Sequence, residues 1–321
     1  SMKAPTRVLY FAGSGRSGTT VMNTILGQVP GCFAAGELRY LWHRGVVEDH
    51  RCACGEPFHR CPVWSAVMTE AFGASIPDAA GIGTRLLQRL RILGLPAMAL
   101  RRLRGRAAIP PHPDDQAIAA LYRALSDHRG GDVIVDSSKL PPYGLLLAAL
   151  PGVEVYILHV VRDPRATAFS WQRTKKTADT DAVTYMPRQE IWKSAALWSI
   201  WNLVSALVWR TGNPRVVRLR YEDFVASPRQ AMEGVVRMLG LSEGELPFVD
   251  DTTVTLAPTH TVAGNPNRHT YGTVTVRADD EWQAEMPAGQ RLAVTALTLP
   301  GLLTFGYPVR PRPARRPGGH P

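Results

Sequence analysis

Long apolar runs, cysteines and acidic residues are all scarce in this 321-residue chain, and each scarcity narrows the reading. The longest uncharged apolar stretch, SAALWSIWNLVSALVW at 194–209, lies between Lys193 and Arg210. It falls short of the roughly 20 residues that a membrane span needs, and it carries serines and an asparagine. It therefore reads as a buried core helix, and the chain as soluble. Four cysteines in a chain this long do not make a disulfide scaffold, so the cytoplasm is the expected compartment. No charged-then-apolar leader is visible, since RVLYFAG at 7–13 is short and runs straight into glycines, and Ser1 before Met2 resembles an expression scar.

Acidic residues number 27 against 37 lysines and arginines, a net charge of +10 that is unevenly placed. Thr84 to Arg106 holds seven arginines and no acid, and RPRPARRPGGHP at 310–321 adds four more. Anionic ligands or surfaces are implied. Nucleic acid is not supported, because no helix-turn-helix, zinc-finger or aromatic RNP pattern is present.

With 45% hydrophobic residues the chain can bury a large core. Strand candidates are RVLYF (7–11), DVIVD (132–136), VEVYILHVV (153–161) and RVVRLR (215–220). Helix-compatible segments follow them at 19–28, 141–150, 165–174 and 228–239. Continuous β-branched runs alternating with helices predict an α/β fold, three-layered and P-loop-like, with a central parallel sheet flanked by helices. A single domain over 1–309 is expected. An insertion at about 43–116, first cysteine-bearing and then arginine-rich, is read as an acceptor-side lid, and 310–321 as a disordered tail.

FAGSGRSGTT at 11–20 has the glycine spacing of a phosphate-binding loop between a strand and a helix, but threonine stands where an NTPase loop carries lysine. Backbone N–H groups, the helix dipole and the hydroxyls of Thr19 and Thr20 can all face an oxyanion there. Arg16 supplies a fixed cation with a bidentate fork. No metal-binding partner is evident. The glycine spacing alone fits a plain strand-to-helix turn equally well. VVRDPRATAFSW (160–171) places Arg162 at the end of a strand, where open α/β sheets bind ligands, although an Arg162–Asp163 surface ion pair is also compatible.

Together these segments resemble the sulfotransferases that use 3′-phosphoadenylyl sulfate (PAPS), of the bacterial type related to carbohydrate and protein-tyrosine sulfotransferases. GSGRSGTT is similar to that family's 5′-phosphosulfate loop, which implies that Gly15, Arg16, Ser17, Gly18, Thr19 and Thr20 bind the donor. VRDPRATAFS is similar to its 3′-phosphate segment, which implies Arg162 and Ser170. VVRLRYEDF (216–224) implies Tyr221 beside the adenine, and GNPNR (264–268) implies Arg268 as a second 3′-phosphate ligand. The resemblance further implies PAPS as co-substrate, 3′,5′-ADP (PAP) as product, and no metal requirement.

Sulfuryl transfer, like phosphoryl transfer, is served by positioning and electrostatics, and Arg16 fills an electrostatic role. Lys139 in VDSSKLPPY stands where small-molecule members of the family carry a catalytic histidine, and an ordinary lysine stabilises charge better than it accepts a proton. Glu37 in AAGELRYLW is the candidate base, provided that burial against Tyr40 or Trp42 raises its pKa. His260 is a further pocket-lining candidate, and His159 reads as packing against a covering helix.

CACGEPFHRC places Cys52, Cys54 and Cys61 near His50 and His59; packed thiols, a local disulfide and zinc all remain open. The leucines and arginines of 85–106 suit an amphipathic lid or contact with an anionic membrane, peripheral to its inner face. The expected acceptor is a hydroxylated small molecule, a sugar or a lipid-linked glycoside. The insertion and the 175–190 loop are expected to shape its pocket. The rival readings are a P-loop small-molecule kinase, which the missing lysine opposes, and a non-enzymatic basic protein docking on a membrane.

Overall fold

The computed structural model describes residues 4–128, 133–173, 176–177, 179–180 and 184–310; most of the tail read as disordered, 311–321, lies outside them. The strands are β1 (Thr6–Ala12), β2 (Cys32–Gly36), β3 (Val133–Lys139), β4 (Val153–Val161), β5 (Lys176–Thr177), β6 (Thr184–Tyr185), β7 (Val216–Arg220), β8 (Thr253–Leu256) and β9 (Gly272–Thr275). Five of them form one parallel sheet in the order β2-β3-β1-β4-β7. Four were legible as β-branched runs. The fifth, β2, reads CFAAG, a segment with no β-branched residue, which hid it.

Helices cover both faces. They include α1 (Thr19–Leu26), α2 (Pro62–Phe72), α3 (Ala79–Arg89), α4 (Leu95–Leu103), α5 (Asp114–His128), α6 (Pro141–Ala149) and α7 (Pro164–Gln172), then α8 (Ile191–Val208), α9 (Tyr221–Ala226) and α10 (Pro228–Met238). The period of two along β1 sends Val8, Tyr10 and Ala12 into one apolar cluster with Trp42, Trp64, Leu121 and Tyr143. Leu9 and Phe11 point the other way, into a cluster with Met22, Ile25, Met232 and Val235. The first cluster runs without a break from the sheet into the helices of the insertion, through Ile82, Leu86 and Ile118.

The arginine-rich helices are anchored by charge as well as by leucine. Arg85 Nε lies 2.8 Å from Asp114 Oδ2, and Arg89 Nη1 lies 2.9 Å from Asp115 Oδ1, where both acids also suit the N-terminus of α5. The reading of 194–209 as a buried core helix needs correction. In α8 the buried residues are Ser194, Ala195, Trp198, Asn202 and Ser205, whereas Trp192 and Leu207 are 62% and 68% exposed. By length and apolarity alone this helix could cross a membrane. Its mostly small and polar buried stripe is what lets it lie close against α7, with Trp198 Nε1 donating to the Arg162 carbonyl at 2.8 Å.

Candidate functional site

Because β1, β3 and β4 run parallel, their carboxyl ends and following turns converge, and there they open onto a cavity of about 650 Å³. That is within the usual range of ligand pockets, ~300–1,000 Å³. The β1–α1 turn lines it from Ser14 to Thr20. Two glycines make this turn possible. At Gly13 (φ 115°) a Cβ would meet the Val160 carbonyl oxygen at 2.2 Å, and at Gly18 (φ 76°) it would strike the Tyr221 ring at 2.3 Å. The Tyr221 ring thus lies directly on the loop.

Arg16 is the most unusual residue of the site. It takes a left-handed φ of 63° without being glycine, and it is 8% exposed. Its guanidinium lies 4.8 Å from the centre of the Trp171 ring, and none of its three nitrogens has a hydrogen-bond partner among the described residues. Burial, and secondarily the charge of Arg162, lower its pKa below the usual guanidinium value. A buried charged donor set without acceptors is costly unless an anion completes it.

Arg162 follows the end of β4 and faces the same cavity. It does not pair with Asp163, which caps α7 and binds the buried Arg165 through contacts of 2.9 and 2.7 Å. Instead its Nη1 donates to the Arg16 carbonyl at 3.1 Å, its Nη2 lies 3.2 Å from Asp279, and its face stacks on Tyr221 at 4.6 Å. Ser170, two turns into α7, is buried and lines the cavity, as Tyr221 does. Three cation-bearing and hydroxyl-bearing segments distant in sequence therefore meet at one end of the cavity.

At the other end stand Glu37 and Lys139. Glu37 follows β2 and its N–H donates to Ala263; Lys139 ends β3 with φ 65°. Lys139 Nζ lies 3.3 Å from Glu37 Oε1. The turn presenting Lys139 is held by Asp136, a fully buried carboxylate that escaped sequence reasoning. Asp136 accepts from Ser138 N at 2.8 Å, from Ser138 Oγ at 2.6 Å and from the Tyr122 hydroxyl, while Ser138 Oγ accepts from Arg39 N at 3.1 Å. Burial lifts the Asp136 pKa from 3.8 to about 6 despite these donors.

This raised pKa has a consequence for stability. Between the two values the native carboxyl still holds a proton that the unfolded chain has released. The contribution of Asp136 is therefore complete below its unfolded pKa and is lost as pH rises through about 6. Roughly two units correspond to a loss on the order of 3 kcal/mol. Urea unfolding of wild type and Asp136→Asn between about pH 4.5 and 7.5 should show a flatter profile for the variant; parallel profiles would refute the assignment.

Several expected residues are placed elsewhere. Arg268, expected as a second 3′-phosphate ligand, does not line the cavity. Its guanidinium donates to the carbonyls of Thr261 and Arg51, each at 2.8 Å, and pairs with Asp179 at 2.6 Å. It clamps loops together, while Gly264, Asn265 and Asn267 of the same segment reach the cavity wall. His260 turns away toward Cys52 and Cys61 instead of lining the pocket. Trp42 lies in the core against Phe72 and, unlike Tyr40, does not line the cavity with Glu37. His159 is buried as expected, its Nδ1 accepting from Arg218 and its Nε2 facing Asn202 Oδ1, and burial lowers its pKa to about 3, which keeps it neutral.

None of residues 84–106 lines the cavity, so that part of the insertion is not a lid over it. The insertion contributes Arg44, and the 175–190 loop contributes Met186, Pro187 and Gln189. Sequence reasoning placed Tyr40 beside Glu37 but missed the rest of the aromatic wall, Trp171, Trp198 and Trp201; Arg39 stacks on Tyr40 at 4.1 Å. Only their fold-dependent convergence marks them, since single aromatics spread over 160 residues carry no spacing signal.

The sulfotransferase family matches residues 98–245, a span that holds Lys139, Arg162, Ser170 and Tyr221 but not the glycine loop. Over 96% of its length the chain superposes on the sulfotransferase domain of the Synechococcus PCC 7002 olefin synthase, covering 97% of that chain at 18% identity with a TM-score of 0.55. The sulfotransferase domain from the curacin biosynthetic pathway is similar over 96% of this chain and 99% of its own, at 15% identity and a TM-score of 0.52. No curated protein matches the chain. The chain thus has the fold of these sulfotransferase domains, and residues 98–245 match the sulfotransferase family's sequence pattern.

Proposed function

We propose that this sulfotransferase-type chain moves the sulfuryl group of PAPS to an acceptor hydroxyl and releases 3′,5′-ADP. The observation that carries the reading is the buried Arg16 guanidinium, with no partner among the described residues, in a glycine loop that lacks a lysine. In the reaction the bond from sulfur to the leaving phosphate oxygen breaks and a bond from sulfur to the acceptor oxygen forms. The leaving phosphate gains negative charge, which Arg16 and the N–H groups of 15–20 stabilise. Arg162 and Ser170 bind the 3′-phosphate, and Tyr221 sits by the adenine. Glu37 takes the acceptor proton, and Lys139 beside it stabilises the transferring oxygens.

The aromatic wall with Arg39 and Arg44 forms the acceptor side, which suits a hydroxylated sugar, glycolipid or other small molecule. Calorimetric titration with 3′,5′-ADP, without added divalent cation, tests the donor site. Binding should fall at least about tenfold in Arg162→Ala and resist competition by ATP, since each lost charged hydrogen bond is worth ~1.5–3 kcal/mol. Asp279→Asn should tighten it, because Asp279 competes for Arg162. Better binding of ATP with Mg²⁺ would favour the kinase reading and end this one.

Peripheral attachment to the cytoplasmic face of an anionic membrane through 84–106 belongs to the same proposal. It is supported by Leu93 and Leu103, 91% and 85% exposed, beside the exposed Arg91, Arg102, Arg104 and Arg106. The chain should co-sediment with phosphatidylserine vesicles, and Leu93→Ser/Leu103→Ser should abolish this. Equal sedimentation with neutral vesicles would count against an electrostatic contact.

A further inference from the structure

The first lobe of the insertion and the loop after β8 are separated by about 200 residues, yet each sends sulfur or nitrogen ligands to one point. Cys52 and Cys54 flank a tight turn closed by Gly55 N to the Cys52 carbonyl at 2.9 Å, and Cys61 caps the start of α2. His260 comes from the distant loop. Cys54 Sγ lies 3.7 Å from Cys61 Sγ, and His260 Nδ1 lies 3.3 Å from Cys61 Sγ and 3.9 Å from Cys52 Sγ. All four ligand atoms fall within 4.8 Å of one another.

Tetrahedral zinc, with ~2.3 Å bonds to sulfur and ~2.0–2.1 Å to nitrogen, spaces its ligand atoms roughly 3.5–3.8 Å apart. The distances of 3.3, 3.7 and 3.9 Å straddle that spacing. A disulfide would need sulfurs at ~2.05 Å, and none of the four cysteines forms one. A single thiol–imidazole hydrogen bond would account for the His260–Cys61 contact, but not for a third thiol, Cys54, gathered at the same point.

The surroundings behave as a support for the ligands. The His260 carbonyl accepts from Trp64 Nε1 at 2.7 Å, Ala53 N donates to the Thr261 carbonyl at 3.0 Å, and Tyr271 donates to the Ala53 carbonyl. These bonds fix the backbone on both sides of the cluster, as is usual where a metal's ligands are pre-oriented. His50 and His59, the histidines nearest in sequence, are not part of it: His59 Nε2 contacts the Val46 carbonyl at 2.8 Å and His50 pairs with Glu48 at 3.0 Å.

We propose that Cys52, Cys54, Cys61 and His260 bind a structural Zn²⁺ ion that clips the insertion to the 257–271 loop. With four protein ligands the centre has no open position, so its role is structural and separate from sulfuryl transfer. Its place explains why it is needed. The same loop presents Gly264, Asn265, Asn267 and Thr270 to the cavity, and the clamp made by Arg268 starts from it.

The test is the metal content of the full chain purified from zinc-supplemented medium, read by elemental analysis and native mass spectrometry. About one zinc per chain is expected, falling below ~0.2 in Cys54→Ser and in His260→Ala but unchanged in Cys32→Ser, whose cysteine lies in β2. Cobalt added to the chelator-stripped chain should give the intense visible absorption of a tetrahedral thiolate centre. If a variant fails to fold, the wild-type zinc content and the cobalt spectrum decide. Less than about a tenth of an equivalent after incubation with Zn²⁺, or a mass two hydrogens short with two thiols lost to titration, overturns the proposal.

Discussion

Replacing Arg16 by alanine should abolish sulfuryl transfer without lowering the melting temperature. The two halves of this expectation come from the same observation. The guanidinium is buried, stacks on Trp171, lacks hydrogen-bond partners among the described residues and is crowded by the charge of Arg162. In the unliganded protein it is a cost, and its removal takes away a desolvated charge. The left-handed φ of 63° would still strain an alanine, so Arg16→Gly should be the more stable of the two variants.

With the donor bound the balance reverses. In the proposed reaction the forked cation faces the phosphate that gains charge as the sulfur–oxygen bond breaks. Removing such a group costs on the order of 10³-fold in kcat/KM, by comparison with oxyanion donors and arginine fingers in related chemistry. Transfer of radiolabelled sulfuryl from PAPS to a panel of sugar, glycolipid and phenolic acceptors, alongside thermal unfolding, measures both. Lost activity with an unchanged or raised melting temperature is the expected pair. A variant that unfolds at a much lower temperature would make Arg16 a structural residue, and near-normal turnover would remove it from the mechanism.

This pairing of cost and use also explains which parts of the molecule could be read in advance. The sheet was legible because β1, β3, β4 and β7 are buried strands written as apolar or β-branched runs. The Arg16–Arg162 end of the cavity was legible because loop 13–20 and segment 162–170 are local: glycine spacing, one arginine and one helix start specify them. The residues that were misplaced or missed depend on contacts across the chain. Arg268 sits in a recognisable segment, but Asp179, the Arg51 carbonyl and the Thr261 carbonyl of its own loop draw its guanidinium out of the cavity. Asp136 looks like an ordinary strand-end acid until Tyr122, fourteen residues earlier, is seen to donate to it. α8 looks like a core helix by composition, because apolar content does not reveal that its packed stripe is made largely of serine, alanine and asparagine.

Glu37 and Lys139 should prove to work as a unit. They arrive from the ends of β2 and β3 and meet at 3.3 Å on the wall of the cavity opposite the Arg162 end. If Glu37 takes the acceptor proton, Glu37→Gln should lower kcat by roughly 10²–10⁴-fold while leaving 3′,5′-ADP binding nearly unchanged. Lys139→Met should lower kcat and kcat/KM together, since its charge matters most when the transferring oxygens are most negative. The double variant separates a unit from two independent parts. Each single change also leaves the partner's charge largely buried and without this ion pair, so the losses should not multiply: the double variant should be about as slow as the slower single one. Multiplicative losses would mean that the two act separately. A Glu37→Gln enzyme with near-normal kcat would move the base elsewhere, and among the described cavity-lining residues only Asp279, already paired with Arg162, remains as a carboxylate to take the role.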